Sequence, residues 1–342
     1  MIKKRNIWLF LILLCSVLNY AFSNSLFQQK LNLDTMNQPL IKPAYLKIGD
    51  TIAIVATAGI IKDQDPIKKA IELAESWGLK VLLGKNTFNQ EFHFAGTDEE
   101  RLDNFQSALD NKNVKAIWCA RGGYGTIRII DRIDFSKFKK NPKWIIGYSD
   151  ITVLHSHIHN LGYETLHSIL GTSMDFNEEK NKPSIESFKK ALFGETLTYT
   201  VHKSPFNKIG HSKGQLVGGN LSILQNLLGS SSSVKTNNKI LFIEEIGEYL
   251  YHIDRMIYAL KRAGYFENCK GLIVGGMTKI KKNSTPWGQS LEALILDATK
   301  EYDFPILFDF PAGHDIENNA LILGRDLDLY VTKEFSVVKF SE

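Results

Sequence analysis

The sequence is poor in cysteine, carries little excess charge and holds only one long apolar run. Of its three cysteines, Cys15 lies within that run near the N-terminus, which leaves Cys119 and Cys269 for the body of the chain. Two cysteines make no disulfide framework. Cys119 ends an apolar stretch, so buried free thiols are expected rather than a bridge. The formal net charge is +4. Lys3, Lys4 and Arg5 supply three of the positive charges, and without residues 1–23, which contain no acid, the balance is +1. Such a chain has no electrostatic call on nucleic acid. Signatures of phosphate binding are missing too: there is no Walker lysine-serine pair and no G-x-G-x-x-G spacing. No internal repeat is visible.

What is present begins with a basic start, an apolar core from about Ile7 to Val17 and small residues at Ala21-x-Ser23. This is the order of a cleaved secretory signal. The core is shorter than the roughly 20 residues of a spanning helix. Cleavage near Ser23 is expected, with an exported, periplasmic mature chain and no membrane span left in it. Residues 24–44 read as a polar leader.

From Asp50 the pattern becomes regular. The runs "TIAIVATAG", "LKVLLG", "VKAIWCA" and "KWIIG" read as strands, and "EERLDNFQSALDN", "GTIRIIDRI" and the segment around Ile67–Trp77 read as helices. Alternation at this spacing argues for a parallel sheet covered on both faces. Residues 45–175 are therefore assigned to a Rossmann-like N-terminal domain. Residues 176–213 are polar and weakly periodic and read as a connection. Residues 214–342, with the strands "KILFIEEIG" and "GLIVGG" around the helix "YHIDRMIYALKRAG", read as a smaller α/β C-terminal domain.

Two strand-to-helix corners stand out. "IIGYSDIT" places Ser149 between a buried strand and an apolar-periodic segment, the setting of a nucleophile elbow, although a Ser-Asp pair at a helix start is also an ordinary N-cap. "CARGGYGT" supplies Gly122 and Gly123, which let backbone approach a substrate. In a parallel sheet both corners fall on the ligand-binding edge. A free backbone N–H in that glycine pair can complete an oxyanion hole begun at Asp150 N–H. Arg121 can hold a substrate carboxylate or simply brace the loop, and Tyr124 beside it is a candidate substrate contact. A serine nucleophile needs a base and an orienting acid. His314 in "FPAGHDIENN" and Glu244 or Glu245 in "LFIEEIG" are placed for this, but residue patterns alone do not single them out. His155, His157 and His159 lie on one probable helix, and the i,i+4 pair could ligate zinc; packing histidines are the simpler reading.

Taken together, "FAGTDEERLDNFQSAL", "VKAIWCARGGYGTIRIID", "IIGYSDIT", "GGNLSILQNLLG", "LFIEEIGEYLYHIDRM" and "GHDIENNALILG" closely resemble the L,D-carboxypeptidase family of serine peptidases, in order, from about Lys47 to the C-terminus. The resemblance implies a Ser149-Glu244-His314 triad, oxyanion donors at Asp150 and Gly123, an active site between the two domains, no metal and no cofactor. It implies a murein tetrapeptide substrate that loses its terminal D-alanine through an acyl-enzyme, and it allows a homodimer. A microcin C immunity-type peptidase cleaving peptidyl-adenylate analogues and a non-catalytic wall-peptide-binding protein are the alternatives. Where the family often has His-Gly-Pro after the elbow helix, this chain reads Leu166-His167-Ser168.

Overall fold

The computed structural model describes residues 40–172 and 179–342. The segment read as a signal (1–23) and the leader up to residue 39 lie outside the described residues. The last leader residues already belong to the folded body: Ile41 N–H donates to Gly162 O at 2.9 Å, and Trp144 Nε1 donates to Ala44 O at 3.1 Å.

The first sheet grows from the alternation seen in the sequence. β1 (Thr51–Val55) leads to α1 (Asp65–Ser76), β2 (Lys80–Leu83), α2 (Asp98–Asp110), β3 (Val114–Cys119), α3 (Ser136–Lys140), β4 (Trp144–Gly147), α4 (Thr152–Asn160) and β5 (Thr165–His167). These strands pair in parallel in the order β2-β1-β3-β4-β5. β4 is buried along its whole length, and β1 and β3 nearly so, as a sheet covered on both faces requires. α1 starts with a proline in its first turn and turns Ile67, Ala70 and Ala74 inward. α2 starts with a capping box, in which Thr97 Oγ1 accepts from Glu100 N and Glu100 Oε2 accepts from Thr97 N.

The remainder of the chain forms α5 (Lys182–Phe193), β6 (Thr198–His202), β7 (Gly210–Asn220), α6 (Leu221–Asn226), β8 (Lys239–Ile246), α7 (Leu250–Arg262), β9 (Gly271–Thr278), α8 (Leu291–Thr299), β10 (Ile306–Leu307), β11 (Leu321–Leu323), β12 (Asp326–Val331) and β13 (Phe335–Phe340). The second sheet has the order β10-β9-β8-β7-β12-β13-β6. It is parallel from β10 to β7 and antiparallel beyond. β11 departs from this set and pairs antiparallel with β5, at the edge of the first sheet.

Two expectations are corrected. Residues 176–213 are more than a connection, since they contain α5 and β6. The inward face of α5 holds Ser184 and Ser187 beside Phe188, Ala191 and Leu192, so its apolar period is diluted by serines among outward lysines. "GTIRIIDRI" forms two 3-10 turns, Thr126–Arg128 and Ile130–Arg132, not an α-helix. Its β-branched residues are poor helix formers, and Thr126 N–H is held by the Asp150 carboxylate.

The two sheets lie in one compact unit, residues 40–342. A single apolar cluster includes Trp118 and Trp144 of the first sheet and Leu216, Phe242 and Leu329 of the second. α4 is the seam between them. Thr152 Oγ1 accepts from Asn220 N at 3.0 Å, and Lys239 Nζ meets His159 Nε2 at 2.6 Å. Below the seam, the buried Arg325 guanidinium binds Glu164 through two bonds of 3.1 and 2.6 Å. Among the described residues, Cys119 and Cys269 are buried and free.

Candidate active site

The strand order reverses between β1 and β3, and the loops following β1, β3 and β4 converge there, outside the carboxyl ends of the strands. β4 delivers the chain to Gly147 (φ 154°), extended Tyr148 and then Ser149 at φ 64°, a left-handed conformation that non-glycine residues rarely hold. A 3-10 turn, Ser149–Ile151, runs directly into α4. The serine is therefore presented on a strained strand-turn-helix corner, as an elbow requires. Gly147 fits because a β-carbon there would approach Ile151 Cγ1 to 2.9 Å.

The imidazole facing the serine comes from the loop after β10. His314 Nε2 lies 3.1 Å from Ser149 Oγ, and Nδ1 lies 2.7 Å from Glu244 Oε2. The same carboxylate oxygen also accepts the His314 backbone N–H at 3.2 Å. With Nδ1 protonated toward the carboxylate, Nε2 is free to accept the serine proton. Gly313 makes this approach feasible: a β-carbon on it would lie 2.6 Å from Glu244 Cβ. The loop is fastened by Gly313 N–H to Asn318 Oδ1 (2.8 Å) and by Thr278 Oγ1 to His314 O (2.7 Å). The Tyr148 ring packs edge-on against the imidazole with centroids 4.8 Å apart. Burial works against the imidazolium, but the Glu244 hydrogen bond and charge, with Glu245 behind them, outweigh it and raise the His314 pKa above its ordinary value.

The structure separates the two adjacent glutamates. Glu244 faces His314. Glu245 accepts from Asn220 Nδ2 (3.2 Å), Ser222 N (2.8 Å) and Ile246 N (2.8 Å), and burial raises its pKa.

The glycine loop after β3 lies against the serine, and Gly59 of the β1 loop donates its N–H to Gly122 O at 3.0 Å. Gly123 (φ 101°) has no intramolecular acceptor for its N–H among the described residues. Arg121 braces the loop by donating to Ile60 O. Tyr124 is 46% exposed and faces a neighbouring pocket. Sequence reasoning did not find the clamp that shapes this loop. The fully buried Asp150 carboxylate accepts Thr126 N–H at 2.9 Å. Buried Arg101 donates to Gly125 O (2.8 Å) and Thr57 O (2.9 Å). Burial raises the Asp150 pKa, opposed by the Thr126 bonds and Arg101. Arg101 also pairs with Asp98 one turn earlier on α2, but that spacing did not mark the clamp, because the carbonyls it holds lie in two other loops.

The three histidines of α4 do not converge. His155 bonds Thr165 Oγ1 and Gly147 O, each at 2.8 Å; His157 bonds Ser232 Oγ; His159 meets Lys239. Among the described residues no group of three or more His, Cys, Asp or Glu side chains is arranged to hold a metal.

Comparison with known proteins gives a consistent picture. Residues 52–168 match the LD-carboxypeptidase N-terminal domain and residues 213–329 match the LD-carboxypeptidase C-terminal domain. The chain is 37% identical over 302 residues to a probable murein peptide carboxypeptidase of Bacillus subtilis, covering 87% of this chain and 94% of that one. It is 26% identical to a murein tetrapeptide carboxypeptidase of Pseudomonas aeruginosa, covering 84% and 96%. Among solved structures it is similar to a muramoyltetrapeptide carboxypeptidase from Oxalobacter formigenes (25% identity, TM-score 0.78, 85% and 99% covered). MccF bound to glutamyl sulfamoyl guanosine shares the fold at 23% identity (TM-score 0.78, 88% and 98% covered).

Proposed function

The chain belongs to the LD-carboxypeptidase family, and from that premise we propose that it is a serine carboxypeptidase removing the terminal D-alanine from peptidoglycan tetrapeptides. One observation carries the reading: the continuous hydrogen-bonded path from Ser149 Oγ through both His314 nitrogens to Glu244, built on a serine held at φ 64°. A wall-peptide-binding protein would need no such path. The substrate is supported by the relatives named for murein peptides.

In this mechanism His314 Nε2 takes the Ser149 hydroxyl proton as Oγ attacks the carbonyl that joins the L-centre of diaminopimelate to D-alanine. The Glu244 carboxylate holds the imidazole tautomer and stabilises the imidazolium. The carbonyl oxygen becomes an oxyanion and accepts from Asp150 N–H and Gly123 N–H, donors that reorganise little because the loop is clamped beneath them. The imidazolium returns its proton to the departing nitrogen, the C–N bond breaks, and D-alanine leaves. Water then gives a proton to His314 and attacks the Ser149 ester, releasing the tripeptide and restoring the hydroxyl.

Export is part of the proposal, supported by the signal-like order of residues 1–23. Fractionation of cells producing the full chain tests it, and a protein retained in the cytoplasm would overturn it. The activity is tested by incubating the mature chain and Ser149→Ala with a disaccharide-tetrapeptide muropeptide and following the product by mass spectrometry. Loss of one alanine with the native chain alone is expected. Intact muropeptide with cleaved peptidyl-adenylate would move the assignment to the other substrate class.

A further inference from the structure

A pocket of about 300 Å3 lies on the same strand-end edge as the triad, and its walls spring from the elements that carry the site. Tyr124 follows the glycine pair of the β3 loop. Ser222 opens α6, and its N–H is held by Glu245. Glu248, His252, Arg255 and Met256 come from the corner after β8 and from α7. His252 and Arg255 lie three apart on one face of α7, and Glu248, in the corner before that helix, reaches back to His252.

The charges in this wall are unequal in what they already bind. Glu248 Oε2 meets His252 Nδ1 at 2.5 Å. The exposed Arg255 rests its guanidinium 5.6 Å from the Tyr251 ring centroid and has no carboxylate partner among the described residues. A planar cation left open beside an acid suits a ligand group that carries a carboxylate and an ammonium on one carbon: the carboxylate takes the guanidinium fork and the ammonium meets Glu248. We propose that this pocket is the specificity subsite for the residue before the scissile bond, and that Arg255 reads the distal carboxylate on that residue's side chain, with Glu248 facing the adjacent ammonium. The inference rests on the carboxypeptidase reading. In a wall tetrapeptide the matching group is the far end of meso-diaminopimelate. Lysine offers the same chain with the ammonium but no carboxylate.

The test compares three tetrapeptides that differ only at this residue: meso-diaminopimelate, its distal carboxamide, and L-lysine. The native chain is expected to prefer the first, chiefly through KM. In Arg255→Gln the preference ratio for diaminopimelate over lysine falls by about tenfold, the effect of losing a charge-assisted hydrogen bond at a partly solvated site. Arg255→Lys restores part of it. Equal cleavage of all three peptides by the native chain, or a ratio unmoved in Arg255→Gln, overturns the subsite and leaves the carboxypeptidase reading intact. Calorimetric binding of the same peptides to Ser149→Ala reads the subsite without turnover. Selective binding that depends on Arg255, beside a native chain that cleaves none of the three peptides, sustains the subsite and sinks the reaction; unselective binding sinks the subsite.

Discussion

Gly122 and Ser149 touch so closely that no side chain fits between them: a β-carbon on Gly122 would lie 2.9 Å from Ser149 Cβ and 3.1 Å from its Oγ. The space, not the backbone conformation, demands glycine here. Gly122→Ala must push the elbow or the loop aside by a few tenths of an ångström. A fall in kcat on the order of tenfold to a hundredfold is expected, since small displacements of reacting groups are costly. Turnover measured beside the thermal midpoint separates this from unfolding; native turnover in the variant would contradict the geometry.

Glu244→Gln keeps the shape of the side chain but removes the charge that fixes the His314 tautomer. Loss of kcat by about 10⁴-fold is expected, the scale seen when the acid of a serine triad is amidated. Single-turnover kinetics on a muropeptide reads it, and a loss below tenfold would remove Glu244 from the triad.

Because the His314 pKa is raised and the base must be neutral to act, kcat/KM should climb with pH along an acid limb lying above the ordinary histidine value of about 6.5. Glu245 contributes to that elevation through its charge. The limb should therefore move to lower pH in Glu245→Gln. A pH–rate profile with the limb unmoved, or moved upward, refutes this coupling.

Asp150→Ala removes the acceptor of Thr126 N–H in a fully buried position. A stability loss of about 1–3 kcal/mol is expected from an unsatisfied buried donor. The loop that carries Gly123 also loses its clamp, so kcat should fall more than KM rises. Denaturant titration and steady-state kinetics on one preparation test both parts, and an unchanged kcat would show that the loop holds its place without Asp150.

Much of this arrangement was legible in the sequence. The parallel sheet and the Ser149 corner announce themselves because a buried strand, a turn and a periodic segment follow within a few residues. The link to His314 and Glu244 is different. Those residues lie 165 and 95 positions from the serine's own number, and only the matched blocks of a family pattern tie them together. The choice between Glu244 and Glu245 depends on which face of β8 each occupies: consecutive strand residues point to opposite faces, so the two adjacent acids are aimed at different partners. Arg121 could have served a substrate or the loop, and its bond to Ile60 O shows it bracing the loop. The histidines of α4 have the spacing of a metal pair, but burial and separate partners claim each ring.

Those buried histidines govern acid stability. Burial lowers His155 to about 4, lowers His159, with help from Lys239, to about 3, and holds His167 well below 6.5. The unfolded chain binds protons at these sites from about pH 6.5 downward while the native chain does not, so stability falls as pH drops through that window. His155 alone accounts for about 3 kcal/mol between pH 7 and pH 4. Urea midpoints measured at pH 7, 6 and 5 should decline steadily; a flat series would mean that these rings are protonated in the native state.

The strand β11 returns from residues 321–323 to close the edge of a sheet whose other strands are complete by residue 167. During synthesis, β5 must therefore wait with an open hydrogen-bonding edge until nearly the whole chain has left the ribosome. Such an edge invites pairing with a neighbouring chain. A fragment ending in the middle of the chain would keep this opening permanently, and a stop codon that removes only the last two dozen residues would leave the serine's own sheet unsealed.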